Sequence, residues 1–120
     1  MADLRIEDYP VQIQLLKHGE ETEAPNAGQV LVDSGPYQSV SGFKIVKVLI
    51  AAQDSVPDYE VAHRDPTNTI DLEVAMIAAG SMPGQWSAYF GASQGDHFVV
   101  RTRSAGTAGK FYQASIFVGG

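Results

Sequence analysis

Histidines are the first residues to consider for chemistry in this chain of 120 residues, which has three: His18, His63 and His97. A zinc site made from histidines usually takes two of them a few residues apart on one element. These three lie on separate predicted elements, so their spacing does not predict a metal centre. One enzymatic alternative stays open, a small jelly-roll enzyme of the cupin type that would use His63 and His97 together.

Carboxylates are the second set of candidates. Asp71 and Glu73 are two residues apart on a predicted strand, a separation that the paired acids of a glycosidase could span. The stretch "DSVPDYE" offers Asp54, Asp58 and Glu60 to calcium, without the regular acid spacing of a calcium-binding loop. No nucleophile-elbow or phosphate-loop motif is present. We therefore predict no catalytic, cofactor-binding or metal-binding residue, and a protein that is not an enzyme.

Aromatic residues could instead bind a sugar. In "QWSAYF", Trp86 and Phe90 share one face of an extended strand and Tyr89 lies on the other, which favours core packing for the first two. A carbohydrate-binding module remains an alternative. Its candidate contacts are Tyr37, Tyr59 and Tyr89.

The last predicted strand has two apolar faces. In "KFYQASIFVG" the more uniformly apolar face, from Tyr112 to Val118, is expected to lie on the core. Phe111 and Phe117 fall on the opposite side. We predict that these two side chains are buried in a subunit interface, in a closed cyclic oligomer.

Charge excludes some classes of partner. The formal net charge is −6, so a direct contact with nucleic acid is not expected, because phosphate binding needs a basic face. The longest wholly apolar run, 48–52, is far shorter than the ~20 residues that a membrane span needs. The charged residues of "MADLRIEDYP" leave no apolar stretch of a signal peptide. There is no cysteine, which excludes disulfides and thiolate metal sites.

Alternation of apolar and polar residues predicts an all-β fold, an eight-stranded β-sandwich or jelly roll with an N-terminal arm. In "TIDLEVAMI" the alternation places the four apolar side chains from Ile70 to Met76 inward and Asp71 and Glu73 outward. Lys44 and Lys47 have opposite parity, which predicts a bulge or burial on both faces. The predicted strands are 11–16, 29–33, 43–52, 59–64, 69–79, 85–92, 97–105 and 110–119.

The first strand is separated from the rest by a polar stretch. Residues 1–28 are predicted to be an arm with a polar linker over 17–28, and residues 29–120 the sandwich domain. The linker is longer than the usual connection of about 4–6 residues. The strand over 11–16 could return to its own sheet or complete a neighbouring subunit by strand addition. Its predicted inward side chains are Val11, Ile13 and Leu15.

From about residue 28 onward the chain resembles small β-sandwich virion proteins of tailed bacteriophages, the capsid decoration (cement) proteins and their fibre-head relatives. The segments that carry this resemblance are "VLVDSGPYQSVSGFKIVKVLI", "NTIDLEVAMIAAG", "GQWSAYFGASQGDHFVVRT" and "GTAGKFYQASIFVGG".

The resemblance implies a structural role without catalysis: a homotrimer on the capsid surface of the virion, made in the host cytoplasm, that binds the major capsid protein and stabilises the lattice. The alternative is a carbohydrate-binding domain of a phage fibre or tail. On the first hypothesis the acidic side chains of the arm steer association with a basic lattice. These are Glu20, Glu21 and Glu23.

Overall fold

A computed structural model describes residues 14–39, 41–77 and 84–119, and the described residues form nine β-strands. Among those residues there is no helix, and hence none with the length and hydropathy of a membrane span. The strands are β1 (Gln14–His18), β2 (Thr22–Glu23), β3 (Val30–Asp33), β4 (Gly42–Ala52), β5 (Tyr59–Arg64), β6 (Asp71–Ile77), β7 (Gly84–Ala92), β8 (His97–Thr102) and β9 (Phe111–Gly119).

The strands form two antiparallel sheets that pack as a sandwich. The first, sheet A, has the order β1-β9-β4-β7, with β2 also paired to β9. The second, sheet B, has the order β3-β8-β5-β6. The predicted all-β sandwich is therefore confirmed. Its edge strands are β1 and β7 in sheet A and β3 and β6 in sheet B.

The core comes from alternate residues of the central strands, as period-two burial requires. On β9 the face from Tyr112 to Val118 is buried and Phe111 and Phe117 lie on the other side, as predicted. Trp86 and Phe90 also face the core. The fully buried large side chains that sheets A and B contribute include Val46, Val48, Ile50, Tyr59, Val61, Phe98, Val100, Tyr112 and Ile116.

The polar segment after the first strand packs on the body of the protein. β1 and β2 both pair with β9, and between them the N–H of Gly19 donates to the carbonyl of Ala114 at 2.9 Å. Pro25 is fully buried. Parts of the polar segment 17–28 therefore pack on the sandwich, because backbone pairing does not depend on side-chain polarity. Of the two positions considered for the first strand, its described residues occupy the chain's own sheet.

The inward face predicted for Leu15 is wrong. A bulge between Leu15 and Lys17 shifts the register against β9, and Leu16 packs on the core while Leu15 is 55% exposed. One extra residue in a strand moves the following side chains to the other face. Val11 and Ile13 lie outside the described residues.

Of the two explanations considered for Lys44 and Lys47, the bulge is excluded, because β4 pairs in unbroken register with both of its neighbours, and the two side chains are buried or half-buried on opposite faces. Lys44 instead takes the core-side position at the end of the strand, where its ammonium lies 5.7 Å from the centre of the Tyr37 ring. Lys47 lies half-buried on the outer face of sheet A.

Gly19 gives a direct test of the packing of the first strands on the body. A Cβ at this position would lie 2.6 Å from the carbonyl oxygen of Ala114 and 2.9 Å from the Cβ of Val32. Gly19→Ala should therefore destabilise the protein by about 1–3 kcal/mol, the usual cost of overpacking. Urea unfolding measures this, with Gly91→Ala as the control, because a Cβ there meets nothing within 4 Å. Equal stability of the two variants would show that residues around Gly19 are not held against the sandwich.

Candidate functional site

A buried histidine lies at the centre of the main polar cluster. His63 on β5 contacts Glu73 through Nδ1 at 2.7 Å and Asp96 through Nε2 at 2.6 Å. Each ring nitrogen of this buried imidazole therefore has a carboxyl group as its hydrogen-bond partner. The ring lies between those of Phe90 and Phe98, with centroids 5.8 and 5.5 Å away.

This cluster joins the two sheets. Glu73 is on β6, and its Oε2 also accepts the backbone N–H of Gly91 on β7 at 3.2 Å. Asp96, in the turn before β8, accepts the N–H of Ser93 at 2.8 Å. The imidazole and Asp96 are buried, whereas the side chain of Glu73 is 43% exposed, and the contacts of the cluster hold strands of the two sheets together.

The face of β6 that meets the core is the opposite of the predicted one. Glu73 turns toward His63, its partner in the strand register, and Ile77 is buried on the same face. The four apolar side chains predicted to face the core are instead 44–59% exposed: Ile70, Leu72, Val74 and Met76. The alternation is confirmed but its inward side is reversed, because the face that carries Glu73 is the one that meets the buried ring of His63.

A ladder of charges covers the outer face of sheet B. Arg101 donates to Glu60 at 2.6 Å and to Asp71 at 2.6 Å, and Arg64 lies 3.3 Å from Asp71. The hydrogen bond from Arg101 lowers the pKa of Asp71, and the same bond raises the pKa of Arg101. Arg103 lies 3.4 Å from the other oxygen of Glu60. These charges are paired within the chain.

The outer face of sheet A is different, because large apolar side chains lie there among polar ones such as Lys47, Gln85 and Ser87. In register, Ile45 lies beside Tyr89, and Lys47 beside Phe117. The rings of Phe43 and Tyr89, 68% and 60% exposed, stack with centroids 5.6 Å apart. We call this surface the outer apolar face. Its members are Leu15, Phe43, Ile45, Leu49, Tyr89 and Phe117.

Two of the predicted interface residues lie together on this face. Phe117 pairs with Leu15 across β9 and β1. Phe111 is half-buried at the start of β9, opposite Glu23 of β2. The three acidic side chains of the arm are exposed: Glu20, Glu21 and Glu23. Sequence reasoning missed Phe43, Leu49 and Tyr89 as members of the face, although the odd-numbered positions of β4 and β7 could have indicated them.

The structure separates the other candidate sets. His63 faces the core and His97 the opposite side of sheet B, where it contacts Asp33 at 2.9 Å, so the two histidines share no site. Asp54 accepts the hydroxyl of Tyr112 at 2.5 Å, while Glu60 is held by Arg101. No cluster able to hold a metal ion occurs in the ranges that the structure describes.

The three tyrosines proposed for a sugar site differ in their exposure to solvent. Tyr37 and Tyr59 are buried in the core. Burial raises the pKa of the Tyr59 hydroxyl. Tyr89 alone of the three is exposed, beside Phe43.

No protein-family model matches this chain. No curated protein matches it either. A solved structure with a similar fold is the carbohydrate binding module CBM6cm-2 from Cellvibrio mixtus lichenase 5A, in complex with cellotriose. The TM-score is 0.48 at 13% sequence identity, and the match covers 92% of this chain and 97% of that chain. The likeness concerns the β-sandwich fold alone.

The lowered pKa of Asp71 makes the stability that the charge ladder contributes depend on pH. Its pKa is lower in the folded protein than in the unfolded chain, so it stabilises the fold above the unfolded value of about 3.9, and this contribution is lost as the pH falls. Asp71→Asn should cost about 1 kcal/mol or less at pH 7, because the side chain is more than one-third exposed. Urea unfolding should show a larger deficit at pH 7 than at pH 2.5. A deficit of the same size at both values would contradict an electrostatic role.

Proposed function

We propose that this protein is a non-enzymatic structural subunit of a virion, a capsid decoration protein that assembles with copies of itself, as a trimer, and binds the major capsid protein at the particle surface. The observation that supports this most is the outer apolar face. Its exposed aromatic and aliphatic side chains on a rigid sheet resemble the core of a protein–protein interface, which is rich in aromatic residues and poor in charge.

The distribution of charge supports the same proposal. On sheet B the arginines are paired with Glu60 and Asp71, so they offer little to an external anion. The exposed acids Glu20, Glu21 and Glu23 lie near β9, where they would steer the protein toward a basic lattice. The segment before Gln14, with Val11 and Ile13, stays the predicted anchoring arm.

Binding to stripped capsids tests the role of the outer apolar face. Phe43→Glu places a charge in its most exposed aromatic position and should lower the affinity at least about tenfold, the effect of about 1.4 kcal/mol. Occupancy of the particle is measured as a function of added protein. The control is Val56→Glu, at a side chain of similar exposure in the loop between β4 and β5. Equal occupancy by the two variants would exclude the outer apolar face, and no binding by the unmodified protein would contradict the decoration role.

A second candidate function is carbohydrate binding, and the exposed ring pair of Phe43 and Tyr89 favours it. Aromatic rings with one apolar face and a polar tip are suited to contacts that are partly wet. The two rings stack on each other, so each leaves one face for a sugar ring.

An oligosaccharide array separates the two functions. If the ring pair binds a sugar, Tyr89→Ala should abolish array binding, and Leu49→Ala, on the same face without a ring, should leave it unchanged. If the unmodified protein binds no oligosaccharide at millimolar concentration, the carbohydrate function is wrong and the decoration proposal stands.

A further inference from the structure

Both ring nitrogens of the buried His63 lie within hydrogen-bond distance of a carboxyl oxygen. Nδ1 is 2.7 Å from Oε2 of Glu73, and Nε2 is 2.6 Å from Oδ2 of Asp96. Atoms this close need a hydrogen between them, because two lone pairs facing each other would repel. The two contacts therefore need two hydrogens in total, whether each one is carried by the ring or by a carboxyl group.

The unfolded chain supplies only one of these hydrogens in slightly alkaline solution. An imidazole in water titrates at about pH 6.5 and carboxyl groups at about pH 4. Above about pH 7 the neutral ring of the unfolded chain therefore keeps one N–H, and its two carboxylates carry no hydrogen. Closing both contacts in the folded protein then takes up one hydrogen ion from solution.

We propose that His63, Glu73 and Asp96 form a proton-dependent clasp, which is closed when it holds two hydrogens and opens when alkaline solution removes one of them. The closed clasp ties β5 to β6 and to the turn before β8. It also links β6 to β7, since Oε2 of Glu73 accepts the N–H of Gly91 at 3.2 Å. The clasp is separate from the outer apolar face, so it does not depend on the capsid role.

The contact with Glu73 is the one that opens. The side chain of Asp96 is 5% exposed, and its Oδ2 also accepts the N–H of Ser93 at 2.8 Å. The backbone carbonyl of Asp96 accepts the N–H of Tyr37 at 2.8 Å, which fixes this turn further. The side chain of Glu73 is 43% exposed and can exchange the ring for water. Loss of the hydrogen therefore loosens β6 and leaves the turn before β8 in place.

The other charged and titratable groups on the elements around the clasp lie in two places. On the core side, β4 contributes Lys44, opposite Phe90 in register, and the loop after β3 contributes Tyr37, whose ring meets that of Phe98 edge-on. The groups of sheet B pair with one another on its outer face: Asp33, Glu60, Arg64, Asp71, His97 and Arg101. Apart from Glu60, which serves as a control, these groups are the same in every protein that the test compares.

The clasp makes the stability of the fold fall as the pH rises. Because the folded protein holds one hydrogen more than the unfolded chain, its unfolding constant should rise by up to tenfold per pH unit above about pH 6.5. Below that value the unfolded imidazole is itself cationic and also holds two hydrogens. The clasp then adds no pH dependence until the carboxyl groups titrate.

Glu73→Gln tests the clasp at almost unchanged shape. The amide of a glutamine can donate to Nδ1 of His63 while its carbonyl accepts the N–H of Gly91. A neutral ring then closes both contacts, so folding takes up no hydrogen ion. Urea unfolding measures the effect. Between pH 7 and pH 8.5 the unfolding constant of the unmodified chain should rise at least about fivefold more than that of Glu73→Gln.

The matched control is Glu60→Gln, which removes the same charge from β5, where the partner is Arg101 and no histidine is involved. It should keep the pH dependence of the unmodified chain. Equal pH dependence in the unmodified chain and Glu73→Gln would overturn the proposal. Loss of the pH dependence in both variants would also overturn it, because net charge would then be the cause.

Release of hydrogen ions gives a second readout that does not depend on the stability of a variant. Unfolding the unmodified chain with urea at pH 8, in weakly buffered solution with a pH indicator, should release about one hydrogen ion per chain. Release by Glu60→Gln should be the same. No release from the unmodified chain would overturn the proposal.

Discussion

The orientation of the edge strand β6 depends on one buried imidazole. His63 lies in the core between two phenylalanine rings and needs a hydrogen-bond partner on each ring nitrogen, because a buried polar group without a partner costs free energy. Asp96 supplies one and Glu73 the other. Glu73 can reach His63 only if it faces inward, and the pleat then forces Val74 and Met76 outward. An internal electrostatic requirement thereby produces an external apolar surface. The same carboxylate accepts a hydrogen bond from the N–H of Gly91 in sheet A, so Glu73 also links β6 to β7.

The two sheets present different outer surfaces. On sheet B the central charges pair with one another, and the exposed large apolar side chains lie on the edge strands β3 and β6. On sheet A the apolar side chains continue across β1, β9, β4 and β7, around Lys47. Large exposed apolar patches on small proteins usually mark sites of association. A sandwich with one apolar face and one apolar edge fits a protein that acts by contact with other proteins, and this is why we favour an assembly role over catalysis.

Much of the fold was predictable from the alternation of residue types. β5 begins and ends at the predicted residues, and the core face of β9, from Tyr112 to Val118, is the predicted one. Both strands lie inside a sheet with a neighbour on each side, so their apolar face can be buried only against the opposite sheet. The failures in side-chain direction concern the edge strands β1 and β6. Leu15 is exposed because a bulge shifts β1 by one residue, and bulges leave little trace in the sequence. Phe117 was predictable as an outward residue, while its association with Phe43 and Tyr89 depends on which strands are neighbours.

The sequence by itself determined the all-β class, most of the strand positions and which residues alternate along each strand, because these follow from local backbone geometry. Only the tertiary structure decided which side of the edge strands β1 and β6 faces the core. For β6 that choice depended on His63 and Asp96, which are distant in sequence and carry no signal of their mutual contact. It likewise decided that residues 14–23 pair with β9, because main-chain hydrogen bonds are available to polar and apolar segments alike.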